Sequence, residues 1–314
     1  LDGSGFGRNA AISAAKEAIL AAKEAANEND ETRKRFEIMC RAVFSKFKAC
    51  INAKEVNAYR KERDAIDIVY KSLQEDREKA DISAILQQLH MVVDEAIMPQ
   101  PERVAQDGRL YDISRIDFER LRREFERIPA KRTTVQNLKS AIERRLARLL
   151  RQNPLRTDLQ RRYEEIVAEY NREKDRATIE STFEALMLFY ERMSDEEKRA
   201  AGERLDEESL AVFDLLKKPD LSKVELARIK EVAKDLLCAL KAETLRVDRW
   251  KDKETTRDAV RQAIRDFLWS EATGLPVNRY SNEDVRSRAD EVYLHIHFAY
   301  PRLPSPVYEP AGLA

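Results

Sequence analysis

Glycine is scarce along this 314-residue chain, and its scarcity limits both the fold and the chemistry. Between Gly7 and Gly312 there are only three glycines, Gly108, Gly202 and Gly274. A P-loop needs G-x-x-x-x-G-K-[ST] and a Rossmann turn needs G-x-G-x-x-G, because glycine lets the backbone approach the phosphates closely. Neither motif occurs in the sequence. The sequence therefore excludes both of these nucleotide-binding turns.

The same scarcity predicts that most of the chain is helical. Glycine and proline are the residues that helix interiors tolerate least, and here they are confined to a few breaks. Apolar residues between the breaks recur at spacings of three and four, which is typical of a buried helix face. The clearest stripes are Ile82, Ile85, Leu86, Leu89, Val93 and Ile97, then Val135, Leu138, Ile142, Leu146 and Leu149, then Val285, Ala289, Val292 and Ile296. We expect an all-α fold, an irregular multi-helix bundle with two helical subdomains.

The composition sets outer bounds on function. Charged residues make up 37% of the chain and apolar residues 43%, with 58 Lys and Arg against 58 Asp and Glu. A net charge of zero gives no global argument for nucleic-acid binding. No apolar run approaches the ~20 residues of a membrane span, so no membrane partner is expected. Three cysteines, Cys40, Cys50 and Cys238, form no C-x-x-C pair, which favours packing roles and a reducing cytoplasm.

The order of breaks suggests four parts. The sequence begins without methionine, in LDGSGFG, so residues 1–7 are interpreted as a linker and the chain as part of a longer polypeptide. Residues 8–106 are expected to form an N-terminal helical subdomain and residues 107–300 a C-terminal helical domain. The boundary falls in QPERVAQDGRLYDIS at 100–114, which contains an Asp-Gly turn signal. The tail at 301–314 is rich in proline and is predicted to be disordered.

Capping residues predict where several helices begin. Asp30 is expected to cap a helix at about 31–51, and Ser281 to open a helix that runs to about residue 300. Two capping boxes, Ser194 to Glu197 and Ser222 to Glu225, are expected to open two others. The first box would separate a helix at about 178–193 from one at about 195–204.

Charge is balanced overall but unevenly distributed. Residues 115–162 contain fifteen Lys and Arg against six Asp and Glu, a net charge of +9, whereas residues 163–217 contain eight against sixteen, a net charge of −8. Arg144, Arg148 and Arg151 lie at i, i+4 and i+7, so they form one exposed ridge of a helix. This ridge has two interpretations: a solvated face paired with the acidic segment, or a surface that contacts phosphates or a partner.

No residue set in the sequence predicts catalysis or metal binding. The histidines are His90, His295 and His297, and a helix points the last two about 200° apart, so they cannot bind one metal ion. No nucleophile motif such as G-x-S-x-G occurs. We therefore expect no catalytic, cofactor-binding or metal-binding residue in this chain.

Two tryptophans are expected near the ends of a long helix at about 248–271. Both Trp250 and Trp269 are predicted to anchor helix packing. For Trp250, a place in a partner interface is a second interpretation, because tryptophan is enriched in interfaces.

The joint order of several segments resembles a known family. In chain order they are IDFERLRREFERIPAKRTTVQNLKSAIERRLARLLRQNP, LRTDLQRRYEEIVAEYN, TIESTFEALMLFYERM, LDEESLAVFDLLKKPDLS, WKDKETTRDAVRQAIRDFL and EVYLHIHFAY. From about residue 113 onward this order resembles the C-terminal helical domain of the R (HsdR) subunit of type I restriction-modification enzymes. The resemblance covers about two thirds of the chain in detail.

The resemblance implies a parent protein with a nuclease domain and two ATP-driven translocase domains ahead of this helical region. Such a parent is an ATP-dependent type I site-specific deoxyribonuclease, whose ATP and Mg²⁺ would belong to those other domains. The implied partners are methyltransferase (M) and specificity (S) subunits, with DNA contacted through the assembled complex. In that family the C-terminal helical domain is associated with docking to the methyltransferase core.

The residues and the resemblance together indicate a non-catalytic domain that assembles the motor subunit with the methyltransferase core. The residues expected to contact a partner or DNA are Arg144, Arg148, Arg151 and Trp250. Two other classes stay open, a free-standing helical adaptor or scaffold and a helical metal-dependent enzyme. No repeat of 30 to 45 residues is visible, which argues against a regular solenoid.

Overall fold

A computed structural model describes residues 4–50, 54–82, 84–86, 89, 118–172 and 176–309. Within these residues every regular element is helical and no strand occurs, which confirms the all-α prediction. The α-helices are α1 (Ser4–Ala26), α2 (Asp30–Ala49), α3 (Arg60–Lys79), α4 (Phe118–Arg127), α5 (Lys131–Gln152), α6 (Thr157–Arg172), α7 (Arg176–Gly202), α8 (Glu207–Leu216), α9 (Lys223–Ala242), α10 (Glu254–Trp269) and α11 (Asn282–Ala299). Short 3-10 helices span Lys54–Tyr59 and Thr244–Arg246.

The caps confirm some predicted helix starts and correct others. The box of Ser222 and Glu225 opens α9 as predicted, and Ser281 opens α11 in the same way. The predicted cap of α2 is wrong by one residue. Asn29 is the cap, since its Oδ1 accepts a hydrogen bond from Thr32 N at 2.8 Å, and Asp30 is the first helical residue.

Two other predicted helix starts are also wrong. The chain does not break at Ser194, because α7 runs through it without glycine or proline and the Ser194 hydroxyl instead accepts a hydrogen bond from Arg145. The helix expected from residue 248 begins only at Glu254. Arg249 has a φ of 51°, which a right-handed helix cannot accommodate, so the residues before Glu254 form a turn.

The chain divides into two compact units, each of which takes part of α5, α6 and α7. The first unit comprises residues 1–144 and 162–191, and the second comprises residues 145–161 and 192–314. The boundary predicted at residue 107 lies outside the described residues and stays a prediction.

The first unit has a core of aliphatic and aromatic side chains. Phe125 of α4 and Phe183 of α7 stack with their ring centroids 4.1 Å apart. Ile82, Ile85, Leu86 and Leu89 are buried as their spacing predicts, and the rest of that stripe lies outside the described residues. Asp30 accepts hydrogen bonds from Gln136 and Lys139 of α5. Burial opposes the ionised form of Asp30, but the Lys139 ammonium together with hydrogen bonds from Asn171 and Gln136 outweighs it and lowers the pKa of that carboxyl.

The second unit is built around a continuous core from α8, α9, α10 and α11. The predicted inner face of α11 is confirmed, because Val285, Ala289, Val292 and Ile296 are all buried there. Leu146 and Leu149 at the end of α5 are buried in this unit as well. This core supports the surface of α11 on which the candidate site lies.

The prediction of a disordered tail is wrong for residues 301–309. Ser305 is buried and donates a hydrogen bond to Ala299 O at 2.6 Å, and Val307 and Tyr308 pack on the core of the second unit. Residues 310–314 lie outside the described part of the chain. Proline limits helix formation here but does not prevent packing, because apolar and hydroxyl side chains alternate with it.

Candidate interaction surface

The basic and acidic segments neutralise one another, as their opposite charges predict. In each pair the cation lies within residues 115–162 and the carboxylate within residues 163–217. The first unit contains Arg122 with Glu184 and Lys131 with Glu180; the second contains Arg145 and Arg148 with Glu197, and Arg156 with Glu196 and Glu207. Five cations of the basic segment are therefore paired with five carboxylates of the acidic segment within the chain.

The three arginines of the predicted ridge have different environments. In the first unit, Arg144 donates to the backbone carbonyls of Glu78, at 2.9 Å, and Ala80. These carbonyls lie at the C-terminal end of α3, where the helix itself supplies no donors. Arg144 therefore caps a helix end within its own unit.

In the second unit, Arg148 shares a carboxylate with its neighbour Arg145. Arg148 Nη2 lies 3.0 Å from Glu197 Oε1, and Arg145 forms two hydrogen bonds with the same carboxylate. Burial opposes ionisation of Glu197, but the two guanidinium groups lower the pKa of its carboxyl below the ordinary value. For Arg148 the interpretation as a face paired with the acidic segment is supported.

Arg151 differs from both, because it borders an apolar groove on the second unit. The groove has a volume of 440 Å³ and is lined by Leu150, Arg151, Pro154, Leu155, Leu215, Glu291, Leu294, His295 and Phe298. One wall is the C-terminal end of α5 with the turn that follows it, and the other wall is α11. Within the residues described, Arg151 has no ion-pair partner.

The α11 wall is formed by one face of that helix. Glu291, Leu294, His295 and Phe298 lie at i, i+3, i+4 and i+7, so their side chains share a side. Leu294 is 66% exposed and Phe298 is 56% exposed, although both are large apolar residues. Across the groove, Leu155 is 48% exposed. Helix α11 thus buries one apolar face in the core and presents a second to solvent.

The α11 wall also includes His295, whose imidazole is buried and uncharged. Tyr308 donates its hydroxyl hydrogen to Gln152 O at 2.7 Å, so His295 Nε2, 2.8 Å from that hydroxyl, must be the donor to its oxygen. Burial lowers the pKa of His295 to about 4. His295 is therefore neutral at neutral pH and has its Nε2 hydrogen bond satisfied inside the unit.

Glu291, on the same wall, is also engaged. Its Oε2 accepts a hydrogen bond from Arg288 at 2.7 Å, and its Oε1 accepts one from Ser287 at 3.2 Å. Of the two charged residues that line the groove, Glu291 is therefore paired, whereas Arg151 has no oppositely charged partner among the described residues.

Comparison with known families assigns the chain. The family described as "Type I restriction enzyme HindI endonuclease subunit-like, C-terminal" matches residues 4–293. The chain belongs to this family. No curated protein and no solved structure matches it. The resemblance drawn from the order of the helical segments is confirmed at the level of the family.

In this restriction-enzyme domain, Trp250 is a core residue. It is 1% exposed, its Nε1 donates to Tyr300 O at 2.8 Å, and its ring lies nearly perpendicular to that of His297 with centroids 5.7 Å apart. The interpretation of Trp250 as a partner contact is wrong, because a buried indole with a satisfied N–H offers no surface to another protein.

Trp269 shows the opposite behaviour. It was expected to anchor helix packing but is 43% exposed, at the last residue of α10. The guanidinium of Arg286 lies 5.8 Å from its ring centroid. Trp269 ends its helix and packs against the Arg286 cation rather than in the core, so much of the indole lies on the surface of the domain.

The histidines of the domain are arranged as the sequence predicts. His295 and His297 both lie in α11, where His295 faces the groove and His297 faces Trp250. His90 lies outside the described residues. Across the described ranges, no cluster of three or more His, Cys, Asp or Glu could hold a metal ion, and no helix is apolar over enough of its length to cross a membrane.

Proposed function

We propose that this domain is the non-catalytic assembly module of a type I restriction endonuclease subunit. In this proposal it binds the methyltransferase and specificity subunits of the same system and holds the motor in register with them. The observation that carries the proposal is the apolar groove of the second unit, walled by the exposed Leu294, Phe298 and Leu155. Membership of a multi-subunit enzyme family supports a protein as the occupant.

The groove fits a protein interface in its chemistry. Interface cores are richer in apolar and aromatic side chains than the rest of the surface, and arginine is enriched beside them. Contiguous exposed apolar residues on a soluble protein usually mark a place where another molecule binds. Leu294 and Phe298 meet this description, and they lie on a helix that the core fixes from the other side.

The proposal assigns DNA contact to the assembled complex rather than to the arginine ridge. Arg144 and Arg148 already donate to groups of the chain, so a phosphate would have to compete with those partners. The same proposal assigns ATP and Mg²⁺ to other domains of the endonuclease subunit. It retains the predicted cytoplasmic location, since the substrate of a restriction enzyme is DNA inside the cell.

Co-purification tests the proposal. The full chain is mixed with the methyltransferase and specificity subunits of the same system and analysed by size-exclusion chromatography at low and moderate salt. We expect co-elution, and we expect the double variant Leu294→Glu, Phe298→Glu to abolish it. Both side chains are largely exposed, so the variant should fold, which circular dichroism checks.

Val224→Glu is the matched control. Val224 is 81% exposed in the first turn of α9, where a carboxylate is favourable, and it is not part of the groove. Co-elution should survive this change. Failure of the wild-type chain to co-elute at both salt concentrations would refute the assembly role and favour a free-standing adaptor. Metal-dependent cleavage of DNA by the chain alone would favour the enzyme class instead.

A further inference from the structure

The groove offers its occupant very few hydrogen bonds. Six of its nine lining residues are Leu, Pro or Phe. Of the three polar ones, His295 is bonded through Nε2 to Tyr308, and Glu291 is bonded to Arg288 and Ser287. An extended peptide would therefore leave backbone N–H and C=O groups unpaired against the apolar walls. A helix satisfies its own backbone and needs only apolar side chains on one face.

The charge of the groove limits which occupant can bind there. Glu291 is neutralised by Arg288, and His295 is uncharged at neutral pH, so the net charge comes from Arg151. An apolar occupant without an acidic group would remove water from this guanidinium without replacing it. A carboxylate at the matching position would instead form a charge-assisted, bidentate pair.

From these observations we infer that the groove binds an amphipathic helix of a partner protein that carries a carboxylate facing Arg151. The inference rests on the proposed assembly function and specifies the chemistry of its occupant. The α11 wall from Glu291 to Phe298 comprises eight residues, and the seven steps between them cover about 10 Å at 1.5 Å per residue. It therefore accommodates two turns of the partner helix, with apolar side chains at i, i+3 or i+4, and i+7.

Variants at Arg151 test the charge. Isothermal titration of the full chain with the purified methyltransferase and specificity complex should show that Arg151→Glu weakens binding at least tenfold at low salt. Arg151→Lys should weaken it only slightly, because the charge remains, and Arg151→Met should fall between the two. Arg148→Glu serves as the control on the same helix, since Arg148 is paired with Glu197 and does not line the groove.

Photo-crosslinking tests the helix. Leu294→benzoylphenylalanine and Phe298→benzoylphenylalanine are irradiated separately in the complex, and the partner residues are mapped by mass spectrometry. Crosslinks to positions three or four residues apart, beside an Asp or Glu, are the expected result. Reversal of that acidic residue to Arg should restore binding to Arg151→Glu.

The outcomes separate the two proposals. If the double variant at Leu294 and Phe298 prevents binding while Arg151→Glu does not, the assembly role stands and the charge inference is overturned. Crosslinks at alternate residues would mean an extended occupant and would also overturn it. If the complex forms and neither change affects it, the groove is not the docking site. Self-association of the chain in sedimentation experiments, lost in the double variant, would identify a second copy as the occupant and overturn the inference.

Discussion

The buried imidazole of His295 makes the stability of the second unit depend on pH. Burial lowers the pKa of His295 to about 4, whereas an unfolded chain leaves a histidine near its ordinary value of about 6.5. The folded pKa is the lower of the two, so the unfolded state binds the proton more readily. The contribution of His295 to stability is therefore fully present above pH 6.5 and is lost as the pH falls towards 4.

The size of this loss follows from the two pKa values. Between pH 8 and pH 5 the unfolded histidine becomes almost fully protonated while the folded one stays mostly neutral. At 1.36 kcal/mol per pKa unit, the linkage relation gives a loss of about 2 kcal/mol at pH 5. Carboxylates also titrate at low pH, so the quantity to measure is the difference between the wild-type chain and a variant without this imidazole.

His295→Gln is the variant of choice, because the glutamine amide can replace Nε2 as the donor to Tyr308. Urea unfolding of both proteins is measured at pH 8 and pH 5. We expect the wild-type chain to lose about 2 kcal/mol more than His295→Gln over this interval. An NMR titration of the histidine ring protons measures the pKa directly. A His295 pKa near 6.5, or equal losses in both proteins, would refute the reasoning.

Four other changes have expected effects on thermal and urea unfolding. Arg156→Met removes a buried guanidinium that pairs with two carboxylates at 2.9 Å, and should cost about 3 kcal/mol; a cost near zero would mean that the pairs add no stability. Trp250→Phe leaves the carbonyl of Tyr300 without its donor and should cost about 2 kcal/mol, and an unchanged midpoint would contradict its core role. Gly274→Ala would place a Cβ 2.3 Å from a backbone oxygen and should cost about 3 kcal/mol. Gly202→Ala, which meets nothing within 4 Å, should stay within about 1 kcal/mol of the wild type.

Much of the helical fold could be predicted from local patterns. The buried faces of α5 and α11 follow from spacings of three and four, and the box at Ser222 follows from its side-chain chemistry alone. The wrong predictions of a helix start and of a disordered tail concern segments whose structure depends on tertiary contacts. Ser194 and Glu197 match the sequence of a capping box, but the Ser194 hydroxyl accepts a hydrogen bond from Arg145, 49 residues away in sequence. The tail packs because its apolar side chains find the core of the second unit, which its proline content does not reveal.

The groove was missed although a signal for it exists in the sequence. The segment EVYLHIHFAY is apolar on more than one face of its helix, and a helix of this kind has to cover its second face as well. The prediction used only the stripe of Val285, Ala289, Val292 and Ile296. Leu294 and Phe298, at i and i+4, form the other stripe, and the structure leaves it exposed. The remaining wall comes from the end of α5, and no local pattern could place it opposite α11.

The arginine ridge shows why charge patterns alone cannot identify a binding surface. Arg144, Arg148 and Arg151 follow one another along the same helix, and their spacing gives each the same prediction. Arg144 caps the end of α3, Arg148 shares a carboxylate with Arg145, and only Arg151 has no such partner in the described chain. The three arginines differ in their partners because a different part of the chain lies beside each turn of α5. A guanidinium whose donors are used within the fold stabilises that fold, whereas one beside an exposed apolar groove can select a partner by its charge. Reversing the charge of Arg148 should therefore affect stability more than assembly, and reversing that of Arg151 should affect assembly more than stability.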